Sequence, residues 1–151
     1  LTEPDWHLVL VGEGTQLAKL EAMSEKLGIH AQVTFTGAVQ DPTPYYRSAE
    51  IFVLPSRYEG TPNALMEAMC HGLPVIISDA STGPLDLVQE SDAGIITSTG
   101  DVHALTHALQ RLIDNSALRK RLGANAQKTM EKERNQDTSY ELWDAALDFS
   151  K

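Results

Sequence analysis

Two carboxylates eight positions apart, Glu59 and Glu67, flank a segment whose character changes between them. Pro55 closes an apolar run, and Gly60-Thr61-Pro62-Asn63 forces a turn. From about Ala64 to His71 the pattern is helical, and Gly72 stops it. Thr61 or Asn63 caps that helix, depending on whether Pro62 is its first residue. In either case the free backbone N–H groups of its first turn suit a phosphate. On one continuous helix the two acids would stand about 12 Å apart along the axis; across a turn, both could reach one crevice. Acids beside an anion site repel a phosphate unless hydroxyl groups hydrogen-bond to them. A sugar nucleotide supplies both halves, a diphosphate for the helix end and hydroxyls for the carboxylates. The plainer alternative is that Glu67 favours the helix N-terminal dipole and Glu59 is exposed to solvent. The residues alone leave both open.

Other chemistry-bearing groups are fewer. Gly12-Glu13-Gly14-Thr15-Gln16-Leu17 follows a strand and starts like a dinucleotide fingerprint, but Leu17 stands where the third glycine belongs. A close ligand approach over those glycines remains open, as does a plain tight turn. His103 and His107 have a zinc-capable helical spacing with no third ligand nearby, so exposed helix histidines are expected. His71 fits a capping role at a helix C-terminus. Cys70, the single cysteine, sits in an apolar run and is expected to pack in the core, and one cysteine cannot form an internal disulfide. No Asp-x-Asp pair is present, so a divalent-cation diphosphate clamp lacks its usual ligands.

The elements that must position these groups alternate. Strands are expected at His7–Val11, Val33–Phe35, Ile51–Leu54, Val75–Ile77 and Gly94–Thr97, each apolar and expected to be buried. Helices are expected from Leu17 to Leu27 with Gly28 as stop, around Tyr45–Ser48, from Ala64 to His71, and after Gly83-Pro84. This order predicts an α/β fold, a doubly wound, Rossmann-like parallel sheet covered on both faces. Such sheets bind ligands at the carboxyl ends of their strands. That rule ranks the loops at Gly12–Gln16, Thr36–Pro44, Pro55–Asn63, Asp79–Pro84 and Thr97–Asp101. After Gly100 only helices are expected, with Arg119-Lys120-Arg121 and Glu131-Lys132-Glu133-Arg134 as solvated surface, and Thr138-Ser139-Tyr140-Glu141 as a capping box for the last helix.

With 151 residues the chain has the length of one domain, expected to span 1–151. Twelve basic against 21 acidic residues give a net charge of −9, a poor match to a nucleic-acid backbone. No apolar run is long enough for a membrane-spanning helix and no N-terminal signal segment is present. The chain starts at Leu1 rather than Met, which suggests a portion of a longer protein.

Pro55-Ser56, Glu59-Gly60, Pro62-Asn63-Ala64-Leu65-Met66-Glu67-Ala68-Met69 and Gly72-Leu73-Pro74-Val75-Ile76 together resemble the C-terminal domain of family 4 retaining glycosyltransferases, one half of a GT-B fold. Leu10-Val11-Gly12-Glu13-Gly14, Val33-Thr34-Phe35-Thr36-Gly37, Tyr45 through Ser56, Gly94-Ile95-Ile96 and Gly100 through Leu105 extend the resemblance over nearly the whole chain. It implies a nucleotide-diphosphate sugar donor, most simply UDP-linked, and transfer with retention and without a metal ion or other cofactor. By position it implies that Glu59 is the catalytic contact to the donor sugar. Gly60, Thr61, Pro62, Asn63 and Ala64 would form the donor-binding turn, whose backbone amides meet sugar and phosphate. Glu67 would hold the ribose, Phe35 and Gly37 would lie near the base, and Gly12 and Gly14 near the phosphates. A glycan or lipid-linked acceptor would bind a separate N-terminal domain, so these residues alone would not turn over. The implied setting is bacterial polysaccharide assembly in the cytoplasm, with peripheral association of the whole enzyme at the inner membrane face. Two departures stand out. The family's Arg/Lys pair does not occur before Trp6, and Ser81-Thr82-Gly83-Pro84-Leu85-Asp86 replaces a Gly-Gly…Glu segment, as in some N-acetylhexosamine-adding bacterial enzymes. The alternatives are a non-catalytic nucleotide- or glycan-binding module of this fold, and a sugar-nucleotide epimerase half.

Overall fold

The computed structural model describes residues 5–58, 63–80 and 82–136. Strands and helices alternate in the expected order, and every strand pairing is parallel. The chain divides into two compact units, Leu1–Ser48 and Ala49–Lys151.

The first unit holds strand β1 (Leu8–Val11), helix α1 (Leu17–Lys26), a short 3-10 turn at His30–Gln32, strand β2 (Val33–Gly37) and helix α2 (Thr43–Ser48). Gly28, at φ +70°, ends α1 as its sequence position predicts; its N–H donates to the Glu25 carbonyl at 2.9 Å. β1 and β2 form a two-stranded sheet in which Leu8 faces Val33 and Leu10 faces Phe35. The register shifts between Leu10 and Val11, so Val11 pairs with Gly37 and Thr36 is the extra residue. The expectation of a buried first strand is not met, because Leu8, Val9 and Val11 are exposed. The sheet on which they lie has only two strands among the described residues and covers too little of them.

The second unit holds β3 (Phe52–Leu54), α3 (Asn63–Cys70), β4 (Val75–Ser78), α4 (Thr82–Ser91), β5 (Gly94–Thr97), α5 (Val102–Ile113) and α6 (Ser116–Gln136). Its sheet has the order β3-β4-β5. β4 is buried along its whole length, and its alternating side chains separate two cores. Val75 and Ile77 pack with Leu65 and Met69 of α3, Val88 of α4 and Ala126 and Met130 of α6. Ile76 points the other way, to Ala108 and Leu112 of α5 and Leu122 of α6. This sheet is therefore covered on both faces, as a doubly wound parallel sheet requires. Each buried isoleucine contributes about 1.5–3 kcal/mol relative to exposure. Cys70 is half-buried against the first of these cores.

The charged segment of α6 is more structural than a solvated surface. Arg119 is largely buried; its guanidinium donates to the Leu112 and Ile113 carbonyls at 2.7 and 2.9 Å and pairs with Glu50 at 3.2 Å. It thus closes the C-terminus of α5, where carbonyls lack helical partners. Arg121 pairs with Asp92. The expected capping box at Thr138–Glu141 lies outside the described residues.

Candidate functional site

In the first unit, parallel pairing brings the carboxyl ends of β1 and β2 side by side. The Gly12 N–H donates to the Gly37 carbonyl at 3.0 Å, and the two residues form an isolated bridge. Gly12 has φ +123° and Gly37 φ +67°, conformations that a side chain strains or forbids. Open space surrounds the α-carbons of Gly12, Gly14 and Gly37 where a β-carbon would stand. Gly14 starts the turn into α1 through its carbonyl, which accepts from the Leu17 N–H at 3.2 Å. Gln16 caps α1 with no side-chain hydrogen bond, and the first turn carries no acid. Phe35 is half-buried and stacks on His30 at 6.4 Å. The structure thus gathers Gly12, Gly14 and Gly37 at one strand end, with Phe35 two positions before Gly37.

In the second unit, α3 starts at Asn63, one residue earlier than the periodicity suggests, and both Asn63 and Ala64 are exposed. No acid stands in its first turn. Glu67 lies one turn in and is half-buried, and its backbone carbonyl accepts from Nδ1 of His71 at 2.8 Å. His71 therefore fills the C-terminal capping role expected of it. Glu59, Gly60, Thr61 and Pro62 lie outside the described residues. His103 and His107 are exposed on α5, as expected.

Side chains that the sequence reading passed over fix the carboxyl edge of this sheet. The Ser78 hydroxyl donates to the Ser56 carbonyl, tying the loop after β3 to the end of β4. The Asp79 N–H donates to the Thr97 carbonyl at 2.9 Å. One carboxylate oxygen of Asp79 accepts from both the hydroxyl and the N–H of Thr99, each at 2.7 Å. The Thr99 hydroxyl, with its N–H, holds the Asp79 carboxyl below its ordinary 3.8. Asp101 then caps α5, accepting from the Ala104 N–H at 2.9 Å. The signal for these ties was available: an aspartate directly after an apolar strand, opposite a Ser/Thr-rich strand end. What the residues alone do not give is the β4–β5 register that sets Ser78 opposite Thr97. The resulting edge combines the start of α3, exposed at Asn63 and Ala64, a carboxylate one turn in, and loops held by side-chain hydrogen bonds. Chemically it suits an anion with hydroxyl groups attached.

The model of the family described as "Glycosyl transferases group 1" matches residues 1–129. A lipopolysaccharide core biosynthesis glycosyltransferase of Rhizobium meliloti (strain 1021) is 33% identical over 142 residues, covering 94% of this chain and 40% of that protein. An amylovoran biosynthesis glycosyltransferase of Erwinia amylovora is 32% identical over 115 residues, 76% of this chain and 32% of its own length. Among solved structures, the C-terminal domain of a group 1 family glycosyl transferase from Francisella tularensis superposes with a TM-score of 0.80 at 26% identity. That match covers 90% of this chain and 73% of that domain. The chain thus spans well under half the length of these two curated relatives.

Proposed function

This chain belongs to the group 1 glycosyl transferases, and on that premise we propose that it is the donor-binding half of a retaining, metal-independent glycosyltransferase. The donor is a nucleotide-diphosphate sugar, UDP-linked, and the acceptor is a growing glycan or a lipid-linked glycan held by the remainder of the protein. The observation that carries this reading is the exposed start of α3 at the carboxyl end of a parallel sheet, with Glu67 half-buried one turn along. Backbone N–H groups at that start suit the diphosphate. Glu67 accepts hydrogen bonds from ribose hydroxyls, and Glu59 with Gly60, Thr61, Pro62, Asn63 and Ala64 meets the sugar and the adjoining phosphate. Gly12 and Gly14 admit the phosphates without a side-chain barrier, and Phe35 with Gly37 borders the base. The leaving phosphate assists deprotonation of the acceptor, so the protein's contribution is positioning and charge stabilisation. The names of the two curated relatives, both in cell-surface polysaccharide biosynthesis, support bacterial polysaccharide assembly as the setting. This reading implies a cytoplasmic setting, with peripheral association of the whole enzyme at the inner membrane face.

Titrating the full-length protein with UDP and a panel of UDP-sugars by calorimetry tests the donor class. Saturable binding of a UDP-sugar, weakened about tenfold or more in Glu67→Ala through loss of charge-assisted hydrogen bonds, is the expected outcome. An unchanged donor KM and rate in Glu67→Ala contradicts the ribose assignment. Transfer with inversion, read from the anomeric NMR signal of the product, contradicts the retaining mechanism.

A further inference from the structure

Polar burial in the second unit is concentrated in one place. Among the described residues its buried set is apolar except for Ser78 and Thr97, the last residues of β4 and β5, which are paired across the sheet. A buried hydroxyl destabilises unless it is hydrogen-bonded, and alanine would fill the same strand position without that cost. Both hydroxyls are bonded, and both to main-chain carbonyls. Thr97 donates within the sheet, to the Ile77 carbonyl at 3.3 Å. Ser78, only 7% exposed, donates outside it, to the Ser56 carbonyl. The ladder between β3 and β4 ends with Leu54 opposite Ile77. Ser56 lies two positions further on, so the Ser78 hydroxyl extends the attachment of the chain past its last paired residue. Asp79, the next residue, turns to the other neighbour through Thr99. Each loop flanking β4 thus has its own tie to the end of that strand.

We propose that Ser78 is a positioning residue for sugar transfer: by holding the Ser56 carbonyl it sets the chain that leads through Arg57 and Tyr58 to Glu59, three positions beyond Ser56. On the donor reading given above, on which this rests, Glu59 meets the sugar and Glu67 the ribose. Ser78 makes no contact with substrate; it acts through the loop. Its effect falls on the transfer step rather than on nucleotide affinity, because Glu67 stands on α3, which Leu65, Ala68 and Met69 fix independently in the core. A misplaced sugar contact slows transfer steeply, since a shift of about 1 Å can cost two orders of magnitude in rate. The bond also explains why a polar residue stands at the end of an otherwise apolar strand, where packing alone has no use for a hydroxyl.

Steady-state transfer kinetics, UDP calorimetry and hydrogen exchange on the full-length protein test this together, in Ser78→Ala and in Ser78→Thr, which keeps the hydroxyl. Gly123→Ala is the control for lost stability alone, because its β-carbon would press on the Gly72 carbonyl, at the opposite end of β4. Ser78→Ala should lower kcat about tenfold or more while the UDP dissociation constant stays within about twofold of wild type. Ser78→Thr should retain more of kcat than Ser78→Ala. The peptide spanning 52–58 should exchange faster in Ser78→Ala, and that spanning 63–70 should be unchanged. A Ser78→Ala protein with kcat within about twofold of wild type, or with a loss no larger than that of Gly123→Ala, overturns the proposal. Unchanged exchange over 52–58 overturns it as well and leaves the donor reading intact. A wild-type protein that binds no UDP-sugar strikes the donor reading, and the proposal with it.

Discussion

At the scale of single residues, the side chains that organise the edge of the β3-β4-β5 sheet do so through hydrogen bonds rather than buried charge. Asp79 is exposed, but its carboxylate receives two bonds from Thr99 that favour the ionised form. A carboxyl whose folded pKa is depressed stabilises the fold above its unfolded value. That contribution disappears as pH falls through the folded value. The melting-temperature gap between wild type and Asp79→Ala should therefore be constant from about pH 7 to 5 and close below about pH 4. Thr99→Val removes the hydroxyl but keeps the N–H, so the Asp79 carboxyl should move back up toward 3.8 without reaching it. Carbon-13 NMR titration of the carboxyl measures this, and an unmoved Asp79 in Thr99→Val would rule out the hydroxyl as the principal cause. Glu67 lies one turn into α3 and is half-buried; the Glu67→Ala titration decides between a ligand contact and a role at the helix dipole.

Among elements, the docking of α6 turns on glycine. A β-carbon at Gly123 would overlap the carbonyl oxygen of Gly72, at the turn where α3 gives way to β4. Gly123→Ala should thus cost about 1–3 kcal/mol, the range for overpacking a filled interior. Gly83, in the first turn of α4, has open space where a β-carbon would go, and Gly83→Ala should be neutral or stabilising by up to about 1 kcal/mol. Urea denaturation of both variants checks the pair; a Gly123→Ala protein as stable as Gly83→Ala contradicts this account of the packing. The same comparison shows what a sequence makes legible. The strand–helix alternation, Gly28 as a helix stop and the run from Ala64 to Gly72 all follow from local periodicity and backbone chemistry. The 3-10 turn at His30–Gln32 carries no such pattern. Arg119 read as surface because its partners, the Leu112 and Ile113 carbonyls and Glu50, are set by how α5 meets α6. Asp79 and Thr99 were within ranked loops, but their pairing depends on the β4–β5 register. Local signals name elements; contacts set by how one element meets another do not show in them.

For the whole molecule, the proposed donor raises the question of how an acidic domain would hold a diphosphate. These 151 residues carry a net charge of −9. On the proposed reading, the net charge of these residues does not favour an anionic donor at long range, so their contribution to affinity comes from hydrogen-bond donors placed at short range. Backbone N–H groups at the start of α3 are of that kind. A bound divalent cation would be the other way to neutralise the diphosphate, acting as a Lewis acid on the leaving group. The proposal of metal-independent transfer, which the family resemblance implies, makes a sharp prediction. The full-length protein, stripped of metals and assayed in excess EDTA, should transfer sugar from its UDP-sugar donor at a rate within about twofold of the untreated enzyme. A transferase relying on Lewis-acid stabilisation would lose several kcal/mol of transition-state stabilisation, and hence orders of magnitude in rate. Activity abolished by EDTA and restored by Mg²⁺ or Mn²⁺ would mean that a cation does the work assigned here to backbone N–H groups. Asn63→Pro, which removes one of those groups from the start of α3, should in contrast raise the donor KM in EDTA and in its absence alike.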